Sequence, residues 1–318
     1  MRGTGTLRKS AVITAVCLAV MCVSGCGKPT PEQVAERTKL LYEAIKSDNL
    51  ERAKLCIKLG ANVNAEVYSW EVVYEGWKFT TDKNKVGSNR ISRTTLLAYA
   101  LSTDTNENIV ELLIKAGADV NAKDDYPFGC TALMYVINND QKDIAELLIK
   151  AGADVNAKTH DGWTALMGAA GCNGKDVAES LIKAGADVNA KTHDGWTALM
   201  MAARCDGKDV AELLIKAGAD VNAKTHDGWT ALMETASNYY DIKNKKNIAE
   251  LLIKAGADSD AALKWAVINR ASSETKFLIE LGANVNAIDS DGLTLLTHAI
   301  LYGYNDIADL LRAAGAKE

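Results

Sequence analysis

The sequence predicts an all-α solenoid of about eight helix–turn–helix units, and three observations carry that prediction. Residues 159–191 and 192–224 spell the same 33-residue phrase twice, differing only at Gly168/Met201, Gly171/Arg204, Asn173/Asp206 and Ser180/Leu213. A fixed period of this length marks stacked units, each burying its apolar face only against its neighbours. A glycine closing a helical stretch recurs at Gly60, Gly117, Gly152, Gly185, Gly218, Gly256, Gly282 and Gly315, which counts eight units over residues 33–318. Within the phrase, apolar residues fall at helical spacing in two short runs.

The elements of one unit follow in order. Ala165, Leu166, Ala169 and Ala170 share one narrow face of a first helix, and their small size permits close helix–helix approach. Gly174 is expected to break that helix. A second helix over 176–183 turns Val177, Leu181 and Ile182 inward and sets the Glu179–Lys183 pair outward at i,i+4. Gly185 then stops the chain, because glycine accepts the left-handed conformation at little cost. The remaining ADVNAKTHDGW is polar and turn-forming, and leads into the next unit as a finger.

Helix, turn, helix, glycine stop and polar finger at this period, with GADVNA and G-x-T-x-L-x-x-A-A in register, resemble the ankyrin repeat. The family's Thr-Pro-Leu-His reads Thr164-Ala165-Leu166-Met167 here, which removes a hydrogen-bonding group from the turn and implies softer units. The resemblance implies that partners are gripped by the finger tips and by the exposed face of the first helix. Carried over, the finger positions are His160, Asp161 and Trp163, then His193, Asp194 and Trp196, then His226, Asp227 and Trp229. The first-helix positions are Gly171 and Cys172, Arg204 and Cys205, Ser237 and Asn238. Three finger tryptophans in a row form an aromatic stripe of a kind enriched at binding hot spots. Duplication of one accidental Trp, with its ring packed between neighbouring fingers, is the competing reading.

Departures from the period carry information too. About twenty extra residues separate Asn64 from Thr94, an insertion at about 66–93. Tyr68, Trp70, Val72 and Tyr74 alternate, then Glu75-Gly76 leads into Trp77-Lys78-Phe79, the pattern of a β-hairpin. Its aromatics Trp70, Tyr74 and Trp77 either dock onto the solenoid or form a second contact patch. The following DKNKVGSNRISR is polar and locally basic. A smaller insertion over 238–247 lengthens the sixth unit between its helices, and the seventh lacks a full finger. The opening helix pair, expected over 40–59, has no finger before it.

The N-terminus sets the compartment. Arg2, Arg8 and Lys9 precede an apolar run over 11–23, too short to span a bilayer comfortably. Basic residues, a short apolar core and then small residues describe a signal peptide over 1–25. Val23-Ser24-Gly25-Cys26 resembles a bacterial lipobox, in which the chain is cut before the cysteine and the cysteine carries lipid. That resemblance implies a membrane anchor on Cys26, held far more firmly than by a single acyl chain. An ordinary cleaved signal releasing a soluble protein is the alternative. Gly27-Lys28 lack an acidic residue that favours inner-membrane retention, which points to the outer membrane of a bacterial envelope, with the solenoid facing periplasm or surface. Residues 26–32 form a short tether.

Composition and residue chemistry exclude several functions. Removing residues 1–25 takes away three basic and no acidic side chains, making a formal net charge of −5 more negative. That argues against nucleic acid as a partner. Of the cysteines beyond Cys26, Cys56 replaces a core leucine and Cys130 takes the place of Trp163. Cys172 and Cys205 stand one period apart. Stacked helices lie about 8–10 Å apart, beyond the roughly 7 Å reach of a disulfide, so no structural disulfide is expected. There is no P-loop, G-x-S-x-G or H-E-x-x-H. His160, His193 and His226 form a ladder with one member per unit, too widely spaced to share a metal whose donors must sit about 2 Å away. The sequence thus predicts no catalytic residue, no metal and no cofactor. The expected function is a monomeric, membrane-anchored interaction module for an unidentified protein partner. Alternatives are a glycan-binding Trp ladder for a peptidoglycan-like polymer, an immunity or inhibitor protein for a secreted toxin, and a structural spacer.

Overall fold

The computed structural model describes residues 29–69, 73–75, 78–80, 92–103, 107–124, 128–137, 141–236, 242–289 and 291–317. Among them, sixteen helices form eight consecutive pairs. The pairs are α1 (Pro31–Lys46) with α2 (Leu50–Lys58), α3 (Leu96–Ser102) with α4 (Glu107–Lys115), and α5 (Ala132–Val136) with α6 (Lys142–Lys150). The two near-identical units supply α7 (Ala165–Gly171) with α8 (Lys175–Lys183) and α9 (Ala198–Arg204) with α10 (Lys208–Lys216). The last three pairs are α11 (Ala231–Ala236) with α12 (Ile242–Lys254), α13 (Ser259–Ile268) with α14 (Ser272–Glu280), and α15 (Leu295–Leu301) with α16 (Asn305–Ala313). Each of the eight glycine stops has positive φ, from 84° at Gly315 to 95° at Gly256, so the unit count holds.

Local chemistry sets the helix boundaries. The Thr that opens the first helix of a unit caps it: Thr95, Thr164, Thr197, Thr230 and Thr294 each accept through Oγ1 from the backbone N–H three residues on. A capping box between Thr30 and Gln33, with Pro31 behind it, starts α1. Pro31 and Glu32, assigned to the tether by the sequence, are therefore helical, and the opening pair begins nine residues earlier than position 40.

The break between paired helices differs from expectation. Asn173 and Asp206, at φ 56° and 63°, take the left-handed turn, whereas Gly174 and Gly207 have negative φ and cap α8 and α10. Glycine is needed for space: a Cβ on Gly207 would stand 3.2 Å from Asn173 Oδ1 and 3.6 Å from the Ala170 carbonyl of the preceding unit. On α8 the buried residues are Val177, Ala178, Ser180 and Leu181, with Ile182 only half-buried. First helices bury nearly their whole circumference, as in α9, where Ala198 to Ala203 are all inside. The core is thus a continuous strip between stacked units rather than a central ball.

At five of the seven junctions one asparagine side chain joins a unit to the next. Asn189 Nδ2 donates to the Gly218 carbonyl at 3.1 Å while its Oδ1 accepts from Asp220 N–H at 2.7 Å. Asn64, Asn121, Asn156 and Asn222 make the same two bonds to the next glycine stop and the residue two positions beyond it. The carboxamide offers a donor and an acceptor on one plane, which matches a carbonyl and an amide in the turn it faces. Asp119, Asp154, Asp187 and Asp220 fold the same segment locally, each accepting from the N–H two residues on.

The insertion contains two antiparallel strand pairs. β1 (Glu66–Ser69) pairs with β4 (Ser92–Thr95), and β2 (Val73–Glu75) pairs with β3 (Lys78–Thr80). Glu75 faces Lys78 as a paired strand residue, so Glu75 belongs to β2 rather than to the turn. The return strand β4, with Ser92, Arg93 and two threonines, went unrecognised within a polar stretch. Trp70 and Trp77 lie outside the described residues, as does the side chain of Tyr74. The 238–247 insertion enters α12, which runs for 13 residues. Cys56, Cys130, Cys172 and Cys205 are free thiols. Among the described residues no helix is long and apolar enough to cross a membrane.

Substituting Asn189 by Ala removes both bonds of one clamp. The variant is expected to lose about 1–3 kcal/mol, read as a lower urea midpoint. An unchanged midpoint would show that apolar stacking alone holds the units.

Candidate functional site

Each finger is a loop closed on itself before it meets anything else. Thr159 N–H donates to the Trp163 carbonyl at 2.9 Å, Trp163 N–H donates back to Thr159 Oγ1 at 3.0 Å, and Gly162 N–H reaches the Thr159 carbonyl at 3.0 Å. The same bonds recur at 192–196 and 225–229. The φ of 84° at Gly162 and 87° at Gly195 is what requires glycine there.

The fingers are then tied into a row. His160 N–H donates to the Phe128 carbonyl at 2.8 Å, His193 N–H to Asp161 at 3.0 Å and His226 N–H to Asp194 at 3.0 Å. The ammonium groups of Lys123, Lys158 and Lys191 reach the carbonyls of Lys158, Lys191 and Lys224. The imidazoles also serve the row: a Cβ on Gly129 would stand 2.9 Å from His160 Nε2, and one on Gly162 would stand 3.3 Å from His193 Cδ2. Those two rings lie against the glycine of the preceding finger. Asp161, Asp194 and Asp227 remain exposed.

In the third unit, Asp124 is 4% exposed and accepts from Cys130 N–H at 2.8 Å and from the Tyr135 hydroxyl. Burial raises the Asp124 carboxyl above its usual range, and burial together with Asp124 pushes the Cys130 thiol up to about 12. In the eighth unit Asp289 takes the same place and bonds His298 Nδ1 at 2.8 Å. Units four to six carry Thr159, Thr192 and Thr225 there, which satisfy only the finger amide. The matching first-helix position, Tyr135 or His298 in those other units, is then released to Gly168, Met201 and Glu234.

The three tryptophans do not project from the tips. Trp163, Trp196 and Trp229 are half-buried and pack against the core, at the foot of the fingers facing the first helices. Gly171, Cys172 and Cys205 are likewise half-buried, Arg204 is exposed, and Ser237 and Asn238 lie outside the described residues.

The row ends at the sixth unit, and the end differs from the middle. A Cβ on Gly195 would stand 2.8 Å from Thr225 Cα of the next finger, but one on Gly228 would meet nothing within 4 Å. The seventh unit has no finger, because α13 follows directly on its Asp258 cap. Trp265 of α13 meets Trp229 instead, edge to face, with ring centroids 4.4 Å apart. A cleft of about 640 Å³ opens here, lined by Asp194, Trp196, Arg204, Thr225, His226, Asp227, Trp229 and Glu234.

Six of the predicted residues thus share one cavity, while His160, Asp161 and Trp163 stand farther along the row. Besides Thr225, Glu234 is the addition that sequence reasoning missed. It is 7% exposed and accepts from Trp229 Nε1 at 2.7 Å, and its Oε1 lies 4.0 Å from Arg204 Nε. The Arg204 guanidinium sits 5.5 Å from the Trp196 ring centroid. Beneath them Lys245 of α12 donates to the carbonyls of Ala203 and Arg204 at 2.9 and 3.0 Å, closing the C-terminal end of α9. Burial lowers the Lys245 pKa from its usual value. A charged residue inside the apolar run TALMETA was the available signal for Glu234.

The family comparison decides the identity of this architecture. A family model for ankyrin repeats in three copies matches residues 96–192, 190–261 and 242–317. The chain belongs to the ankyrin-repeat family. No curated protein matches it. Ankyrin repeats imply a protein–protein interaction module, and such scaffolds are generally non-catalytic. Within this ankyrin stack, the polar floor and aromatic walls of the cleft set it apart from the regular units around it. Among the described residues, no group of three or more His, Cys, Asp or Glu is placed to hold a metal.

The contrast between Gly195 and Gly228 is open to measurement. Gly228→Ala bears only the strain of positive φ, about 1–2 kcal/mol. Gly195→Ala adds a collision with neighbouring backbone and is expected to lower the unfolding temperature clearly further. Equal losses would mean that the fingers are not packed as a row.

Proposed function

We propose that the chain is a monomeric, non-catalytic ankyrin module anchored in a bacterial envelope through lipid on Cys26, and that it docks a protein partner in the trough between its finger row and its first helices. The observation that carries the docking reading is the cavity at units five and six. There, two fingers, two first helices and two indoles converge with charged groups of both signs. Half-buried indoles suit this role, since each combines a large apolar contact with low conformational entropy and is already held before the partner arrives. A finger row tied by backbone hydrogen bonds is preorganised in the same sense.

The anchor rests on the sequence: Arg2, Arg8 and Lys9, the apolar run over 11–23 and Val23-Ser24-Gly25-Cys26. Helix α1 begins at Pro31, which leaves residues 27–30 between Cys26 and the first helix. A fully extended segment of that size spans roughly 13–14 Å. The first unit would then sit near the headgroups, and the partner would be an envelope protein or one that reaches the membrane.

Two experiments test the two halves. Metabolic labelling with an alkyne fatty acid is expected to mark the wild-type chain and to spare Cys26→Ser. Equal labelling would remove the anchor. For the trough, crosslinked capture followed by mass spectrometry is compared between wild type and a variant carrying Asp161→Lys, Asp194→Lys and Asp227→Lys. These exposed positions tolerate substitution with little effect on folding. A prey held by wild type and lost by the variant is expected. A prey retained by both would move the contact to the insertion or the helical back.

A further inference from the structure

We infer that the cleft at the end of the finger row receives an arginine side chain from the partner protein. This rests on the trough being the docking surface and names the chemistry it selects. The walls are the indoles of Trp196 and Trp229, and the lining holds three carboxylates, Asp194, Asp227 and Glu234, against one guanidinium, Arg204. Lys245 lies behind the lining, hydrogen-bonded to the carbonyls of Ala203 and Arg204, and its charge together with that of Arg204 offsets two of the three carboxylates, leaving one in excess. The lining therefore favours a cation.

Arg204 shows the stacking half of the geometry that selects a guanidinium over an ammonium: its planar group lies over the Trp196 ring. Its Nε pairs with Glu234 Oε1 at 4.0 Å, longer than a hydrogen bond. A guanidinium can stack on an aromatic face and still donate in its own plane to a carboxylate, which a compact ammonium cannot do at once. Arg204 occupies the rim, with its side chain 47% exposed. Among the described residues, the structure gives Asp194 and Asp227 no ion-pair partner, although both line the cavity. Glu234 is built into the floor, fixed by Trp229 Nε1, so its position costs the arriving cation no rearrangement.

The neighbouring units lack this combination. Where Glu234 stands, the two preceding units carry Met201 and Gly168, and their fingers abut the next finger instead of an opening. Trp163 is accordingly an internal control in the same molecule.

The test is a titration of the ¹⁵N-labelled full chain in mild detergent with N-acetyl-arginine amide, read at the indole N–H resonances. The Trp196 and Trp229 signals are expected to move saturably, with Trp163 unchanged. Glu234→Gln, which keeps the volume and the acceptor for Trp229, is expected to weaken binding about tenfold, as one lost charge-assisted bond would. Asp194→Asn with Asp227→Asn, both exposed, is expected to weaken it as well. N-acetyl-lysine amide should bind less tightly, and N-acetyl-glutamate amide should leave the signals in place. Equal response to the lysine or glutamate probe, parallel movement of all three indoles, or no movement at about 100 mM arginine amide, far above a weak-site Kd, would overturn the inference. Protein capture that persists while the arginine probe fails would sink only the arginine assignment. Probe binding without any captured prey would sink only the docking reading.

Discussion

The structure depends on a two-bond clamp made by one asparagine in each of five successive units. Apolar burial holds neighbouring helices together but is non-directional, and leaves their register freer than directional bonds do. The carboxamides of Asn64, Asn121, Asn156, Asn189 and Asn222 remove that freedom. Each meets one carbonyl and one amide of the following turn and fixes both height and rotation. The glycine stop supplies the carbonyl, so the residue that ends a helix also receives the joint. This explains why the seventh unit can lose its finger without leaving the stack. Its Asp258 N–H still donates to the Oδ1 of Asn222.

Much of this was legible in the letters. The unit count, the positions of the glycine stops, the short alanine-rich first helices and the finger boundaries all follow from period and turn chemistry. Other features escaped for physical reasons. Gly174 reads as a breaker, but the left-handed residue is Asn173, because asparagine also tolerates that conformation, while at the equivalent Gly207 a Cβ would crowd the preceding unit. The Asn clamp was hidden because it joins residues 29–55 positions apart, which no local pattern records. β4 was hidden because a strand of Ser, Arg and Thr carries no apolar alternation. Glu234 is a single letter whose meaning depends on the unit that follows it.

The candidate cleft arises from subtraction. Units four to six repeat almost the same finger, and in the middle of the row each finger is covered by the next. Absence of a finger in the seventh unit uncovers the last one, and Trp265 props Trp229 from the side. Replacement of the first-helix residue by Glu234, and extension of α12 so that Lys245 reaches back under α9, then give the opening a polar floor. A regular array would have offered a corrugated surface without a pocket.

That irregularity also settles a problem of indexing. A ligand that read only the motif His-Asp-Gly-Trp would find it three times at a constant pitch and could dock in shifted frames, like a ruler laid on a ruler. Near-identical repeats are therefore poor at saying where a partner should start. Among the three units that carry the motif, Glu234 and the open flank of Gly228 occur in the last alone, and for a docked partner they would act as the zero mark of the scale. The duplicated units supply length, and the single broken one supplies the frame.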